Sequence, residues 1–406
     1  MTEPHEVTID SLGAQGDGVA HAAGKPLYIP YALPGERWRV TADAAPERLS
    51  ASPQRVSAPC PHFGTCGGCL AQHMSDDLYD AWKQDIVNQA FAHRGIAATV
   101  APLRRIGQRS RRRAAFGVTR TGGAIVLGFR EEGQHRLVDI AECVVLHPKI
   151  LSALPHLRQL ADIVLPATGP GARLLVTLLD QGLDVSFETT AKASAPTLQR
   201  IAQLAQNAGI VRLSIGSEIM LSVPATLQLG PATVAPPPGV FLQAVPEAEQ
   251  LMVDLIVSAL PKTKAVADLF CGLGTFTFAL AKRSRVLAID GDKRAVAALA
   301  TGAKAATGLK PIESKVRDLF TDPLSARELD GIDAVVFDPP RAGAQAQCER
   351  LAKSKVTTVV AVSCNPATLA RDARILIDGG YKLGQVTPID QFVYTPHIEA
   401  IAVFRR

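Results

Sequence analysis

The sequence reads as an α/β protein with a doubly wound parallel sheet in its C-terminal part, preceded by a small β module and a β-rich central region. Three observations predict this. Beyond the proline stretch Ala235-Pro236-Pro237-Pro238-Gly239, short apolar β-branched runs alternate with helical segments, the pattern of βαβ units. From roughly 100 to 230 the runs are strand-like, with one helix expected at Ala195 to Asn207. Before residue 56, apolar runs are separated by turns rich in glycine and proline. At 406 residues the chain has room for two or three domains, placed at 1–56, 57–238 and 239–406.

Composition limits the function classes. Hydrophobic content is 47% with only 5% aromatic, and no segment is long enough to span a bilayer. The polar start Met1-Thr2-Glu3-Pro4-His5-Glu6 lacks the basic and apolar parts of a signal peptide. A cytoplasmic location without membrane contact is expected. The net charge of +5 is uneven: Arg104, Arg105, Arg109, Arg111, Arg112, Arg113 and Arg120 crowd one stretch without an acid. That is an electrostatic footprint for a polyanion, although a basic block can also be a solvated face. Seven cysteines in such a chain point to metal or catalysis rather than disulfides.

In the first module, Val7-Thr8-Ile9 and Leu27-Tyr28-Ile29 read as strands, and Gly13, Gly16, Gly18, Gly24 and the Leu33-Pro34-Gly35-Glu36 turn are spaced as in a five-stranded barrel. The module resembles a TRAM domain, an OB-like RNA-binding fold. Next, Cys60, Cys66 and Cys69 stand in a loop with Gly64, Gly67 and Gly68, a compact set of soft ligands. Cys143 is the natural fourth ligand. Spacing leaves iron-sulfur and zinc both open. Ser75 to Arg94 reads as an amphipathic helix with Ser75 as cap and Gly95 at its end. Arg173 to Leu179 and Leu183 to Thr190 read as a hairpin.

In the C-terminal part, the strand Val266 to Phe270 runs into the turn Cys271-Gly272-Leu273-Gly274, which lets backbone approach a cofactor. The second strand ends in Asp290, where an acid commonly takes ribose hydroxyls, and Asp318 follows the third. A nicotinamide cofactor fits such a turn as well. Ile332 to Phe337 runs into Asp338-Pro339-Pro340-Arg341, an acid fixed at a strand end by a rigid proline pair. Thr357 to Val362 is a buried-strand run ending at Ser363-Cys364-Asn365-Pro366. A cysteine there faces a cleft, and the helix starting near Pro366 favours its thiolate. Cys364 is thus a nucleophile or a buried inert thiol.

Together, Asp268-Leu269-Phe270-Cys271-Gly272, Asp338-Pro339-Pro340-Arg341, Ser363-Cys364-Asn365-Pro366 and His397-Ile398-Glu399 resemble the RNA (uracil-5-)methyltransferases that use S-adenosylmethionine. With Cys60, Cys66, Cys69 and Cys143 added, the chain is similar to the iron-sulfur branch that modifies 23S ribosomal RNA. The resemblance implies a Rossmann-like methyltransferase domain, a central domain carrying a [4Fe-4S] cluster on the four cysteines, and RNA as partner. It implies Cys364 as nucleophile toward uracil C6 and Glu399 as the base that removes the C5 proton. Gln243, Phe270, Thr275, Asp290, Asp318 and Asp338 carry over as cofactor-binding residues. No protein partner is implied, and a monomer is expected. His397, two residues before the base, would share a strand face with Glu399 and orient it, or be structural. Ala244-Val245 after Gln243, Thr275, and Phe392-Val393 depart from the family pattern. A transfer-RNA methyltransferase, or an RNA-binding iron-sulfur protein with a vestigial methyltransferase domain, are the competing readings. The cysteine set argues against the first, and intact Cys364 and Glu399 against the second.

Overall fold

The computed structural model describes residues 5–22, 24–41, 44–167, 170–190 and 195–406. The C-terminal part is an eight-stranded sheet in the order Ile312–Val316, Arg285–Asp290, Ala265–Leu269, Ala334–Phe337, Thr358–Ser363, Glu399–Arg405, Lys382–Asp390, Arg104–Arg105. The strands from Ile312–Val316 to Thr358–Ser363 run parallel, as alternation with helices requires. The last part departs from the expected all-parallel sheet. Lys382–Asp390 and Glu399–Arg405 form an antiparallel pair, and the latter lies antiparallel against Thr358–Ser363. An eight-residue connection is too short for a parallel crossover, so the chain turns back.

The central region is a seven-stranded sheet with the helices Pro148–Val164 and Ala195–Asn207. Only the second helix was expected; Pro155 reads as a breaker. Pro148 instead starts the helix, and the apolar stripe Ile150, Ala153, Leu154, Leu157, Leu160, Ala161 and Val164 holds it on the sheet. Alternation gives this sheet two different faces. Ala114, Phe116, Leu174, Val176, Val185 and Phe187 point into the core. Arg113, Ala115, Arg173, Leu175, Asp184 and Ser186 point the other way, into a cavity shared with the C-terminal sheet.

The N-terminal module is built of five extended runs, the first of them shared by two sheets. Its first run bends at Ile9-Asp10, so His5–Thr8 pairs with Arg37–Thr41 while Ser11–Leu12 pairs with Gly18–Ala22. The result is two three-stranded sheets around Val7, Ile9, Ala20, Ile29, Ala32 and Trp38. Residues 1–4, 23, 42 and 43 of the 1–56 stretch lie outside the described residues. Glu36 locks the end of the module, accepting from Leu33 N, Trp38 Nε1, Ser52 N and Arg55. Burial alone would raise its pKa, but these donors win and lower it to about 2.

Two elements from the 57–238 stretch belong in space to the C-terminal sheet. Arg104–Arg105 is its last strand, and the helix Asp76–Ala92 packs on the helix Pro366–Asp378 and on Lys382–Asp390. Ser75 caps that helix by accepting from Leu78 N, as its sequence suggests. Its Lys83 is wholly buried: Nζ donates to Asp390 Oδ1 at 2.8 Å, His397 O at 2.6 Å and Phe392 O at 3.3 Å. Tyr79 donates to the other oxygen of Asp390 at 2.6 Å. This cluster ties both ends of the loop between Asp390 and Glu399 to one helix. Among the described residues no helix is long and apolar enough to cross a membrane.

A Lys83→Met substitution leaves the Asp390 charge buried without its cation. It should cost about 3–5 kcal/mol of stability, read as a lower urea midpoint. An unchanged midpoint would show that Asp390 does not depend on Lys83.

Candidate active site

The cleft opens where the strand order reverses beside Ala265–Leu269, at the carboxyl ends of the parallel strands. It encloses about 680 Å³, and Gln243, Phe270, Thr275, Asp290, Asp318, Asp338, Cys364 and Glu399 all line it. The sheet explains most of these positions. Asp290 ends one strand, Asp338 and Cys364 directly follow two others, and Phe270 follows Leu269. Glu399 reaches the same edge because its strand runs the opposite way. Ser363 pairs with Ala400, so the next step of the ladder sets Cys364 beside Glu399.

The glycine turn has the expected form. Phe270 has φ of 59°, a value L residues rarely adopt, and Gly272 and Gly274 follow with positive φ. Asp290 holds this turn, accepting from Gly272 N at 2.8 Å and from Asp292 N at 2.7 Å. Asp318 accepts from Phe320 N at 2.9 Å and Thr321 Oγ1 at 3.0 Å. The Phe270 and Phe320 rings lie 5.4 Å apart, centroid to centroid, and Phe320 is exposed. Phe320 was not foreseen; an aromatic two residues after a strand-end acid is the only sequence signal for it.

Deeper in the cleft, burial dominates the electrostatics. Asp338 and Glu399 are both pushed well above the usual carboxylate range by desolvation, and the charge of Asp338 pushes Glu399 further. They titrate as a pair. Gln243 Nε2 donates to Asp338 Oδ2 at 2.8 Å. Gln391 Nε2 donates both to Gln243 Oε1 at 2.9 Å and to Glu399 Oε2 at 2.7 Å. Gln391 was missed in the sequence; a buried amide next to a strand-end acid carries no local pattern. Asp268, beneath the glycine turn, is raised to about 7 by burial and bonds Thr277 Oγ1 through one oxygen.

Cys364 does not have the lowered pKa that a nearby helix start suggests. Asn365 caps the helix Pro366–Asp378 by accepting from Ala367 N. The thiol itself is pushed up to about 11 by burial and by Glu399 and Asp338, with Arg341 only partly opposing. Of the two readings of His397, its contacts fit the structural one. It lies in the loop before the strand, its Nδ1 is 3.1 Å from Arg341, and its carbonyl accepts from Lys83. The Asp338-Pro339-Pro340-Arg341 turn is pinned in turn, since Asn365 Nδ2 and Thr368 Oγ1 both donate to Arg341 O.

The arginine stretch does not act as one patch. Arg105 pairs with Asp76 and Asp80, Arg112 with Glu249, and Arg120 with Asp162. These acids come from distant helices, so a local count of charge missed them. Arg111 and Arg113 do line the cleft, joined there by Arg173.

The four cysteines Cys60, Cys66, Cys69 and Cys143 are brought together as free thiols around a second cavity of about 190 Å³. The first three sit on a loop held by Cys66 N to His62 O and Gly67 N to Arg130 O. A Cβ on Gly67 would lie 3.1 Å from the Arg130 carbonyl and from the Glu132 backbone, so a side chain there would require that backbone to give by a few tenths of an ångström. Burial raises the Cys69 thiol to about 12 and also raises Cys66 and Cys143. Among the described residues no three metal-ligating side chains converge closely enough to hold a single metal ion. The cavity is shared with other side chains, Phe63, Gln72, Phe129 and His397 among them. Phe392 and Arg111 line both this cavity and the cleft.

The comparisons with known proteins agree with this architecture. Residues 235–406 match the model of the tRNA (uracil-5-)methyltransferase family. An uncharacterized RNA methyltransferase of Brucella suis is 44% identical over 99% of this chain and 98% of its own length. The 23S rRNA (uracil(1939)-C(5))-methyltransferase RlmD of Chromohalobacter salexigens is 34% identical over 98% of this chain and 89% of its own. The crystal structure of the Pyrococcus abyssi tRNA (uracil-54, C5)-methyltransferase with S-adenosyl-L-homocysteine shares the fold, with a TM-score of 0.78 at 22% identity over 98% of this chain and 99% of that one. The cleft at the strand ends, the sequence motifs that line it and these relatives lead to one conclusion: the chain belongs to the RNA (uracil-5-)methyltransferase family.

Proposed function

We propose that the protein transfers a methyl group from S-adenosylmethionine to C5 of a uridine in 23S ribosomal RNA, in the cytoplasm. The observation that carries this reading is the convergence of Cys364, Glu399, Asp338 and Gln243 in one cleft below the glycine turn. The ribosomal substrate rests on the similarity to the Chromohalobacter enzyme and on the four clustered cysteines.

S-adenosylmethionine supplies an electrophilic methyl group on a positively charged sulfur. Asp290 and Asp318 suit its ribose and adenine, Phe270 and Thr275 border its place in the turn, and Gln243 and Asp338 line the deeper end. Uracil C5 is a weak nucleophile, so the chain has to activate it. Cys364 Sγ adds to C6 as its proton passes to Asp338, which leaves Glu399 free, and the C5=C6 electrons move to give an enolate. C5 then takes the methyl group as its bond to the donor sulfur breaks, the sulfur keeping the electron pair as a neutral thioether. Glu399 removes the remaining C5 proton, and the C6–S bond breaks as C5=C6 re-forms. A buried carboxylate of raised proton affinity suits this last task. The high pKa of the free thiol means that Cys364 is not ionised in advance; its deprotonation accompanies attack. The uridine has to leave its stack to reach Cys364, and Arg111, Arg113 and Arg173 are placed to hold its flanking phosphates.

A [4Fe-4S] cluster on the four cysteines rests on the resemblance to the iron-sulfur branch, and all four thiols line one cavity, as ligands of one shared group would. Burial opposes thiolates at Cys66, Cys69 and Cys143, so a group of positive charge is needed to keep them. Such a cluster would brace the loop of Cys60, Cys66 and Cys69 against Cys143 and against residues 392–397; no step of the methyl transfer needs it.

Labelled S-adenosylmethionine and unmodified 23S RNA should give 5-methyluracil. Cys364→Ala should lower the rate by at least about 10³-fold, and Glu399→Gln should trap a covalent protein-RNA adduct on denaturing gels. Methylation of transfer RNA alone would replace the ribosomal substrate, and activity in Cys364→Ala would end the covalent reading. Protein purified without oxygen should carry about four iron and four sulfide per chain, lost in Cys143→Ser. One zinc per chain would overturn the cluster.

A further inference from the structure

The residue that orients Glu399 is not His397, and the polar network around the carboxylates singles out another. Gln391 is buried directly after the strand Lys382–Asp390. With both acids ionised, the state in which Glu399 can act as a base, the direction of its hydrogen bonds follows. Asp338 Oδ2 then only accepts, so Gln243 turns its NH₂ toward Asp338 and its carbonyl toward Gln391. Gln391 must then offer its own NH₂ to two acceptors, Gln243 Oε1 and Glu399 Oε2. Its carbonyl is left buried with no partner, as is Glu399 Oε1. A buried amide that satisfies two neighbours at the expense of its own oxygen calls for a reason beyond packing.

We infer that Gln391 is a positioning residue for Glu399: its amide holds one carboxylate oxygen and leaves the other, Oε1, uncommitted in the cleft wall to receive the substrate proton. This rests on the reading of Glu399 as the base. Around Glu399 stand Asp338 from the end of Ala334–Phe337 and Cys364 from the end of Thr358–Ser363. Behind the loop lie the Lys83–Asp390 pair and Arg341 with His397. Among the described residues Gln391 is the hydrogen-bond donor to the Glu399 side chain. Burial and Asp338 raise the proton affinity of Glu399, and the Gln391 amide lowers it. Without that amide the acid keeps its proton to higher pH, and a base must be deprotonated to act.

The test is the pH dependence of methyl transfer by the full chain with Gln391→Met and Gln391→Leu, two apolar shapes that remove the donor. Thermal melting establishes that each variant is folded. The acidic limb of the kcat profile should move up by about one pH unit or more, roughly a tenfold loss at pH 7. The rate should recover at alkaline pH. Covalent RNA adduct should accumulate near pH 7 and clear at higher pH. A folded variant whose rate falls equally at every pH, or whose profile coincides with that of the wild type, overturns the inference. Failure of the parent reading looks different: the wild-type chain itself would then form neither methylated uracil nor adduct.

Discussion

The register between Thr358–Ser363 and Glu399–Arg405 is the constraint on which the site depends. Strand side chains alternate between faces, so a slip of one residue would turn Glu399 away from Cys364 and bring Ala400 in its place. Both strands are buried along almost their whole length, which makes a slip costly, because every apolar side chain would change face. The reactive pair is thus positioned by the core of the sheet rather than by a flexible loop. The loop before Glu399 has less to hold it, and there the Lys83 cluster takes over, fixing Asp390, Phe392 and His397 from one helix.

Three regions of the chain supply separate walls of one cleft. The C-terminal sheet provides the cofactor turn and the reacting groups. The central sheet offers the face that its helices leave uncovered, bearing Arg113 and Arg173. Arg112 joins the two, since its Nε donates to Gln243 O and its NH₂ to Glu249 Oε2, so the backbone that carries Gln243 is held from the neighbouring sheet. The cysteine loop stands one side chain away, behind Phe392 and Arg111.

What the sequence made legible was local. Strand ends followed by Asp290, Asp338 and Cys364, the glycine turn, the Ser75 cap and the helix at Ala195–Asn207 are all patterns within a few residues. The helix Pro148–Val164 was hidden by Pro155, whose local meaning was overruled by an apolar stripe packed on the sheet. The arginine stretch was legible only in part, because the acids that pair with Arg105, Arg112 and Arg120 lie far off in sequence. The low thiolate character of Cys364 and the place of Gln391 depend on two carboxylates, Asp338 and Glu399, brought from separate strands. No window along the chain contains them together.

Lys83 and Asp390 stand 307 residues apart, and the strand Arg104–Arg105 completes a sheet whose adjoining strand, Lys382–Asp390, is made far later. On a ribosome, the helix Asp76–Ala92 therefore emerges with Tyr79 and Trp82 already able to pack on Leu12, Leu33, Ala71 and Met74, but with Lys83 waiting for the strand that supplies its counter-ion. The fold has a built-in waiting period, during which the reacting groups are still unassembled.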